Sequence, residues 1–372
     1  MSHVDPPRPR IVVLCPHAED RAPGQRLKFE QYYPSWRAAG YEVDVRPFWS
    51  PEAWGYLYDK RRFARKSAGV AAGYLRRMRD VRAASRADLV YLFLEAAPLG
   101  PPIIEHTLAR RGVPIVYDID DLVHLPHSSQ HNRFMRRLRH HGKVLELMGL
   151  ADHVVVCTPY LQDLATRFNA NVTRISSTIN LDSYLPRPHR PRTTGVVVGW
   201  SGSHSTSPYL HLLDGVLRDL QRTDGIRIRV IGDDSFAVGE AQVEAMPWRL
   251  ESEVADLSEI DIGVYPLPDE EWVLGKSGLK ALQYMALSIP TVAQRIGTNL
   301  EIIEHERNGM LASTPDEWAI YLRRLVRDPS LRQRIGDAGR QTVEARYSVA
   351  VTAPRYLRVL ESTLHTRREA VA

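Results

Sequence analysis

Residues 274–293 read LGKSGLKALQYMALSIPTVA, and this stretch decides the fold of the second half of the chain. A Lys-Ser-Gly turn at 276–278 leads into an apolar segment that predicts a helix ending near Ser288, and a short strand-like run follows. Because the N-terminus of a helix attracts anions, Lys276 is expected beside the phosphates of a bound ligand. Gln283 lies about two turns further along the same helix.

The order of strand, helix and strand recurs on both sides of this stretch. Most strand candidates are near-continuous apolar runs, as expected for parallel strands that are buried on both faces. Their alternation with helical segments predicts an α/β protein with doubly wound parallel sheets. The strand candidates are Ile11–Cys15, Tyr41–Val45, Leu89–Leu94, Ile115–Ile119, His153–Cys157, Val196–Trp200, Ile226–Ile231, Ala245–Trp248, Ile260–Tyr265 and Thr291–Ala293.

The length of 372 residues fits two domains of about 150–200 residues each. A stretch rich in proline and arginine, Asp182–Gly195, is the best linker candidate. We therefore expect a first domain at residues 1–186, a second at 187–350 and a closing helix at 351–372. Ligands of open α/β sheets bind beyond the carboxyl ends of the strands, so two such domains facing each other would place both sets of loops in a central cleft.

The composition excludes several classes of protein. Hydrophobic residues make up 44% and charged residues 25%, which argues against intrinsic disorder, collagen-like repeats and a membrane-spanning bundle. Two cysteines, Cys15 and Cys157, exclude a disulfide framework and a cysteine-rich metal site. The first residues lack the apolar core of a signal peptide, and no run reaches the length of a membrane span. The sequence therefore predicts a cytoplasmic protein.

The net charge of +5 is unevenly distributed along the chain. Residues 1–186 carry 26 basic and 19 acidic side chains, and residues 60–86 carry ten basic side chains and one acidic one, Asp80. Bulky apolar residues are interleaved with these cations. Such a stretch forms either a solvated helical face or a surface that lies on an anionic membrane or binds a lipid-linked acceptor. Nucleic-acid binding is not expected, because no recognised motif accompanies the charge.

The loop after the first strand of the second half reads GWSGSHST at 199–206 and is a candidate phosphate site. Gly202, Ser203 and His204 supply a flexible backbone and polar donors just before an expected helix. A capping turn accounts for part of the same pattern. The loop matches neither the GxGxxG nor the Walker pattern, so dinucleotide and ATP motifs are not supported.

The corresponding loop of the first half contains Gly24, Arg26 and Lys28 at the start of a helix expected over Gln25–Ala39. Gly24 permits close approach of the backbone, and the two cations at a helix N-terminus favour an anion. A plain glycine-containing turn with a solvated basic first turn is the alternative, and this segment alone favours it.

A third candidate loop, at 117–127, reads YDIDDLVHLPH. Asp118 and Asp120 share one face of a strand that ends near Ile119, so Asp120 and His124 are candidate polar or acid–base groups in the cleft. A divalent-metal site and plain helix capping are the alternatives for these aspartates.

Several segments resemble a family 4 glycosyltransferase with the GT-B fold. KSGLKALQYMALSIPTVA at 276–293 resembles that family's donor-binding helix, in which a Lys- or Glu-bearing loop precedes an LE(Y/A)MA helix and a GxPVVA strand. Arg295–Asn299 and Asn308–Leu311 resemble its downstream GxxE loop and NGxL turn. Residues 346–362, RYSVAVTAPRYLRVLES, resemble the closing helix that crosses back to the first domain. Leu27–Val45 resembles the family's LxxxGHEV segment.

The resemblance implies transfer of a sugar from a nucleoside diphosphate sugar, with retention at the anomeric carbon and without a metal or other cofactor. The donor would lie on the second Rossmann-like domain and the acceptor, a sugar, a glycan or a lipid-linked glycan, on the first. The protein would be cytoplasmic. A further expectation is a peripheral contact with the inner face of the membrane. Lys276 and the backbone amides of Gly202 and Ser203 would stabilise the departing diphosphate, with Arg26 assisting from across the cleft. The implied catalytic residues are Asp120, His124 and Arg26, and the implied donor-binding residues are Gly24, Gly202, Ser203, His204, Lys276, Ser277, Gly278 and Gln283.

The sequence departs from the family's pattern at two places. Many members carry two glutamates eight positions apart, where this chain has Gly275 and Gln283. The usual histidine after the fourth strand of the first domain falls near Leu94, next to Glu95. Gln283 is nonetheless expected to hydrogen-bond a ribose diol. A nucleotide-sugar-binding protein and a sugar-nucleotide epimerase of the same fold are the alternative functions.

Overall fold

The computed structural model describes residues 8–57, 62–122, 142–186 and 195–371. The chain divides into two units, the first formed by Met1–Ser176 with Thr352–Ala372 and the second by Ser177–Val351. Residues 177–186, which the sequence assigned to the first domain, therefore lie in the second unit. The hydroxyl of Tyr184 explains this, because it donates a hydrogen bond of 3.2 Å to the buried Glu253 of that unit.

The first unit is built on a six-stranded parallel sheet in the order β2-β1-β3-β4-β5-β6. Four of its strands, β1, β3, β4 and β5, coincide with apolar runs of the sequence, as expected for strands covered on both faces, whereas the edge strand β2 is charged and only half-buried. The sixth has three half-buried residues and is too short to show a periodic pattern. The strands are β1 (Arg10–Cys15), β2 (Glu42–Pro47), β3 (Leu89–Phe93), β4 (Ile115–Ile119), β5 (His153–Val156) and β6 (Val172–Arg174).

One expected helix of the first unit, Gln25–Ala39, is broken into three pieces. A 3₁₀ turn at Glu30–Tyr32 separates two short α-helices. Pro34 accounts for the break, because it has no N–H to donate to the carbonyl of Glu30 and its ring clashes with that carbonyl in a continuous helix. The helices of this unit up to β6 are α1 (Pro23–Lys28), α2 (Tyr33–Ala38), α3 (Trp54–Leu57), α4 (Phe63–Ala84), α5 (Ile103–Arg110), α6 (Lys143–Leu150) and α7 (Pro159–Ala165).

The second unit repeats this plan with a parallel sheet in the order β12-β11-β10-β7-β8-β9. Consecutive strands β7 and β8 are neighbours, whereas β10 returns to the other side of β7, so the strand order reverses between β7 and β10. Ligands of doubly wound sheets bind beyond the carboxyl ends of the strands at such a point. The strands are β7 (Val197–Ser201), β8 (Arg227–Ile231), β9 (Val243–Met246), β10 (Ile262–Tyr265), β11 (Thr291–Gln294) and β12 (Met310–Ala312).

Helices cover the faces of this second sheet and bury an apolar core around Trp200, Leu217, Trp318 and Leu322. A Thr314–Glu317 capping box begins the helix that carries Trp318, so its start is fixed by local hydrogen bonds. The helices of the second unit are α8 (Asp214–Asp224), α9 (Glu253–Leu257), α10 (Leu279–Ala286), α11 (Asn299–Ile302), α12 (Pro315–Arg327) and α13 (Pro329–Arg346).

The last helix, α14 (Val349–Val371), brings the end of the sequence into the core of the first unit. The buried ring of Tyr356 lies 4.6 Å from that of Tyr32 and 6.0 Å from that of Trp36. Its hydroxyl donates to Asp118 on β4 at 3.1 Å. The core of this unit therefore combines residues from both ends of the sequence.

Within the ranges that the structure describes, none of the helices is both long enough and apolar enough to cross a bilayer.

Candidate functional site

Only glycine fits at two positions just after β7 and β8, Gly202 and Gly232. A Cβ atom on Gly232 would lie 2.0 Å from the carbonyl oxygen of Gly202, and Gly232 has a φ of +104°. A Cβ atom on Gly202 would lie 2.3 Å from the ring of Trp200. Gly202 therefore carries no side chain at the point where the strand order of the second sheet reverses, which is where a ligand is expected.

The polar groups after Gly202 bind mainly to one another. The N–H of Gly202 donates to the carbonyl oxygen of Ile231 at 2.9 Å, and the N–H of Ser203 donates to Oγ1 of Thr206 at 3.2 Å. The hydroxyl of Ser203 also contacts that of Ser205 at 2.9 Å. Both backbone donors expected to hold a diphosphate are thus engaged, that of Gly202 with β8 and that of Ser203 within the turn.

His204 is exposed, as are Ser203 and Ser205 on either side of it, and a carboxylate orients its ring. Its Nδ1 lies 2.9 Å from Oδ1 of Asp233, whose Oδ2 accepts a 2.5 Å hydrogen bond from the hydroxyl of Ser207. Burial acts to raise the pKa of Asp233, but the hydrogen bonds from Ser207 and Ser235 outweigh it and hold the pKa below its usual value. With Nδ1 engaged, Nε2 is the ring nitrogen left to face a ligand.

His204, Asp233 and Asp234 also form a group with metal-ligand chemistry. Their candidate ligand atoms lie within 4.8 Å of one another. Imidazole and carboxylate ligands together suit several divalent cations. Asp233 follows β8 directly in an IGDDS stretch, and this polar strand end is the signal by which the sequence could have indicated it.

Helix α10 begins at the expected position and is tied to the end of β7. Gly278 adopts a left-handed φ of +72° just before it, and a Cβ atom there would lie 2.4 Å from Cδ1 of Ile302. The N–H of Ser201 donates to the hydroxyl of Tyr284 at 2.8 Å. Ser277, expected to face a ligand, is buried, and its hydroxyl accepts a hydrogen bond from that of Ser177 at 2.8 Å.

Two lysines approach this region from different directions. Nζ of Lys276 lies 5.4 Å from the ring centre of Trp272, which packs on the ring of Tyr209. Nζ of Lys280, one turn further on, lies 5.5 Å from the ring centre of Trp200 and 5.3 Å from that of Tyr265. The sequence assigned the anion site to Lys276, so the position of Lys280 was missed.

Gln283 lies in a buried cluster. Its Nε2 donates to the hydroxyl of Tyr184 at 2.8 Å and to Oε1 of Glu253 at 3.3 Å. Trp248 donates to the same carboxylate at 3.1 Å. Gln283 is only 6% exposed and uses its amide inside the protein, which differs from the expected contact with a ribose. The interaction arises because the carboxylate of Glu253, on α9, lies next to Gln283. The sequence of α10 alone does not reveal this neighbour.

In the first unit, Gly24 and Arg26 lie on α1, but the loop before α1 is organised by its neighbour Gln25. The N–H of His17 donates to Oε1 of Gln25 at 3.1 Å, and Nε2 of Gln25 donates to the carbonyl oxygen of His17 at 2.8 Å and to Glu30. A Cβ atom on Gly24 would meet nothing within 4 Å, so no close approach within the described residues requires glycine there. Arg26 is half-buried.

Lys28 does not face an exposed anion site as the sequence suggested. It is fully buried, with Nζ 3.4 Å from Oδ1 of Asp118, and it also donates to the carbonyl oxygen of Ile175. The hydroxyls of Tyr91 and Tyr356 donate to Oδ2 of the same aspartate. Burial raises the pKa of Asp118, although these partners oppose the rise. This occupied carboxylate does not fit the alternative of a divalent-metal site.

The remaining residues of that third loop are only partly described. Asp120 is half-buried at the end of β4 and contacts the buried thiol of Cys157, whose pKa burial raises. Asp121 has a left-handed φ of +66°. His124 lies outside the described residues. Leu94, at the position of the family's histidine, also has a left-handed φ, +60°, and Glu95 beside it pairs with Lys143 at 3.3 Å.

Comparisons with known proteins agree with this architecture. Residues 195–328 match the family model described as glycosyl transferases group 1. The chain is 35% identical over 109 residues to glycosyltransferase 1 domain-containing protein 1 of Xenopus tropicalis, a match that covers 25% of this chain and 31% of that protein. The chain thus spans under a third of the length of this curated relative.

Solved structures resemble nearly the whole chain. Anabaena Alr3699/HepE in complex with UDP and glucose has a TM-score of 0.67 at 16% identity, covering 95% of this chain and 99% of that one. Sucrose-phosphate synthase from Thermosynechococcus elongatus has a TM-score of 0.69 at 16% identity, covering 96% and 100%. A glycosyltransferase from Rickettsia africae has a TM-score of 0.68 at 14% identity, covering 96% and 99%.

The two doubly wound units and these likenesses show that the chain has the GT-B fold, and residues 195–328 match the glycosyl transferases group 1 model. The α/β fold class expected from the sequence is confirmed. The group 1 domain lies in the second unit and contains the loop after β7, the Asp233 segment and α10. Membership of family 4 in particular stays a prediction.

Proposed function

We propose that the protein transfers a sugar from a nucleoside diphosphate sugar to an acceptor hydroxyl, with the donor bound on the second unit. One observation carries this proposal: Gly202, a position where a side chain does not fit, lies at the point where the strand order reverses, beside the start of α10. Both elements belong to the segment that matches the group 1 glycosyl transferases. The Anabaena relative of the same fold has been solved with UDP-glucose, which supports this donor class.

Departure of the diphosphate builds up negative charge, which the site must stabilise. The N–H of Gly202 is bound to Ile231 on β8 and that of Ser203 to Thr206 within the turn, so this work falls on other groups. His204, Lys276 and Lys280 supply polar or cationic side chains, and the first N–H groups of α10 have no acceptor inside the helix. These groups would stabilise the leaving group without a metal, and transfer would proceed with retention. Nothing in this mechanism calls for a bound cofactor.

The direct test is incubation with a panel of nucleoside diphosphate sugars, followed by mass spectrometry of the nucleotide products. We expect slow hydrolysis of one donor in the absence of an acceptor, and transfer when a matching sugar or glycan is added. Proton NMR of the product gives the anomeric configuration, which should equal that of the donor. Failure to consume any donor of the panel would contradict the proposal.

The proposed metal independence is tested at the same time. His204, Asp233 and Asp234 form the group with the chemistry to bind a divalent ion, so a metal-dependent enzyme would have a place to hold one. We expect unchanged turnover after dialysis against EDTA. This part of the proposal would be overturned if EDTA abolished the activity and Mg²⁺ or Mn²⁺ restored it, and if Asp234→Asn prevented that restoration.

Two other functions fit the same fold. A nucleotide-sugar-binding protein would show a rise in melting temperature with the donor but no consumption of it. A sugar-nucleotide epimerase would convert the donor into an isomer of equal mass without releasing the nucleotide. The nucleotide product detected by mass spectrometry separates the transferase from both.

For the acceptor side we propose a peripheral contact with an anionic membrane through α4. Its charge pattern is unusual, because Arg77 and Asp80 are buried as an ion pair at 3.0 Å while Leu75 and Met78 are 64% and 69% exposed. Arg79 and Arg82 are also exposed. Apolar side chains flanked by arginines suit the interface of a bilayer that contains anionic lipids, where a lipid-linked acceptor would be found.

This contact is tested by co-sedimentation with vesicles of phosphatidylcholine with and without phosphatidylglycerol. We expect binding to the anionic vesicles only, weakened by salt and by the double variant Leu75→Ser, Met78→Ser. Leu185→Ser is a matched control, since Leu185 is 63% exposed but lies in the second unit. Equal sedimentation of the double variant and the wild type would exclude α4 as the membrane surface.

A further inference from the structure

Lys280 lies at the point of the second sheet where the strand order reverses. Its Nζ faces two aromatic rings, that of Trp200 on β7 and that of Tyr265 on β10, at 5.5 and 5.3 Å from their centres. These two strands are the neighbours between which the order changes direction. The lysine thus lies above the place where doubly wound sheets bind their ligands.

The rings hold the lysine head in place. A cation is attracted to the face of an aromatic ring, and two rings from adjacent strands restrict it more than one would. The stem of Lys280 passes close to Gly202, since a Cβ atom on that glycine would lie 2.9 Å from Cε of the lysine. A half-buried ammonium that is already positioned loses little conformational freedom when it binds an anion.

The loop after β7 needs a cation from elsewhere in the chain. Residues 195–217 contain neither lysine nor arginine, and the N–H groups of Gly202 and Ser203 already donate to Ile231 and Thr206. Lys280 is the lysine whose stem reaches Gly202. Lys276 instead lies over the ring of Trp272, whose indole N–H donates to the carboxylate of Glu270 at 2.6 Å. A carboxylate bound to this ring disfavours a second anion there.

From this geometry we infer that Lys280 is the residue that binds the diphosphate of the donor, with its ammonium contacting phosphate oxygens beside Gly202. This assignment rests on the function proposed above and specifies which cation of the site performs the binding. Lys276 then lies to one side, over the Trp272 and Tyr209 rings. Lys280 binds the diphosphate before reaction and bears the charge that develops as the sugar leaves.

The test measures binding without turnover. Isothermal titration calorimetry in magnesium-free buffer compares pyrophosphate, UDP, ADP, GDP and the corresponding nucleosides on the wild type and on Lys280→Met. Methionine keeps an apolar stem beside Gly202 and the aromatic rings but removes the charge. We expect Lys280→Met to weaken pyrophosphate and diphosphate binding about 10- to 100-fold, with nucleoside binding changed less than about twofold.

Two further variants locate the effect. Lys276→Met should weaken pyrophosphate binding less than Lys280→Met does. Arg222→Met removes an exposed cation that pairs with Asp219 on α8, and it should leave the affinity as in the wild type. Circular dichroism and the melting temperature show whether each variant is folded, and Lys280→Arg should restore part of the affinity by restoring the charge.

The outcomes separate this inference from the function on which it rests. Equal pyrophosphate affinity of Lys280→Met and the wild type, or no pyrophosphate binding by the wild type, overturns the role of Lys280. An equal loss of nucleoside and diphosphate binding also overturns it, because that result indicates a structural role. If pyrophosphate binds through Lys280 but no nucleotide of the panel does, the inference stands and only the nucleotide-sugar donor is overturned.

Discussion

At the scale of single residues, Glu30 carries a buried carboxyl group, and its hydrogen bonds offset only part of the free-energy cost of burying the charged form. It accepts hydrogen bonds from the N–H of Asp20 and from Gln25, and it is 7% exposed. Burial raises its pKa to about 7, against these hydrogen bonds. In the unfolded chain the group titrates near pH 4.5, so between these values the folded protein binds the extra proton. Stability should therefore fall as the pH rises through this window.

Glu30→Gln tests this consequence. The variant lacks the ionisation, so between pH 4.5 and pH 7 its free energy of unfolding should rise relative to that of the wild type by up to about 3 kcal/mol. His17, whose pKa burial lowers to about 4, contributes the opposite slope but is present in both proteins and cancels in the difference. Urea unfolding at a series of pH values measures the effect. Parallel pH profiles for the two proteins would show that Glu30 does not titrate in this range.

A second residue-scale prediction concerns the pair Gln283 and Glu253. Gln283→Glu would place two carboxylates 3.3 Å apart in a buried cluster and remove the donor to Tyr184. We expect a loss of about 2–4 kcal/mol in the free energy of unfolding at pH 8, partly recovered at pH 5 as one carboxyl group binds a proton. Guanidinium unfolding at both pH values provides the measurement.

The exchanged variant, Glu253→Gln with Gln283→Glu, is the matched control, because it keeps one carboxylate and one amide. It should be more stable than Gln283→Glu alone, and the double-mutant cycle gives the coupling energy of the pair. A cycle that closes with no coupling would mean that the two side chains do not interact in solution.

At the scale of elements, the loop after β7 depends on the absence of a side chain at position 202. Gly202→Ala would bring a Cβ atom to within 2.3 Å of the buried Trp200 ring and 2.9 Å of the Lys280 stem. We expect a loss of about 1–3 kcal/mol in stability and a larger proportional loss of nucleoside diphosphate affinity, because the loop itself must shift. Thermal unfolding and calorimetric titration measure the two effects.

Gly215→Ala is the control for this prediction. Gly215 lies in the first turn of α8, where a Cβ atom would meet nothing within 4 Å. Alanine also favours the helix over glycine by up to about 1 kcal/mol. This variant should therefore be as stable as the wild type or more so. A Gly202→Ala protein that behaves like Gly215→Ala would show that the loop adapts without cost.

The elements were largely predictable from the sequence, because buried parallel strands appear as apolar runs. The failures have local causes. The helix expected over Gln25–Ala39 breaks at Pro34, and the three-residue strands β6 and β12 are too short for a periodic signal. Site residues were harder to predict. Lys280, Asp233 and Glu253 gain their significance from neighbours that lie 26 to 80 positions away: Trp200 for Lys280, Ser207 for Asp233 and Gln283 for Glu253.

At the scale of the whole molecule, α14 makes the first unit depend on the far end of the chain. The hydroxyl of Tyr356 donates to Asp118 and to the carbonyl oxygen of Lys28, and its ring packs among Tyr32, Trp36 and Tyr91. Removing residues 352–372 would take this ring out of the core and expose a buried ion pair. We expect β1, β3 and β4 to lose protection from hydrogen exchange while β7 and β8 keep theirs.

Tyr356→Phe is the graded variant for this experiment. It keeps the ring and removes the hydroxyl, and the expected cost is about 1–2 kcal/mol in the stability of the first unit. Hydrogen exchange followed by mass spectrometry measures the protection of β1, β3 and β4 in both the truncated protein and Tyr356→Phe. If the truncated protein kept the protection of β4 at the level of the wild type, α14 would not contribute to the core of the first unit.

The return of α14 to the first unit also sets an order of events during synthesis. Residues 177–351 form a continuous stretch that contains all of the second unit, so the first unit lacks Tyr356 until this stretch has been synthesised. At usual rates of translation, residues 1–176 wait about 10–40 s for this core residue. During that interval the core around β1, β3 and β4 lacks the Tyr356 ring, so we expect residues 1–176 to be the part of the chain that is more prone to aggregate during synthesis.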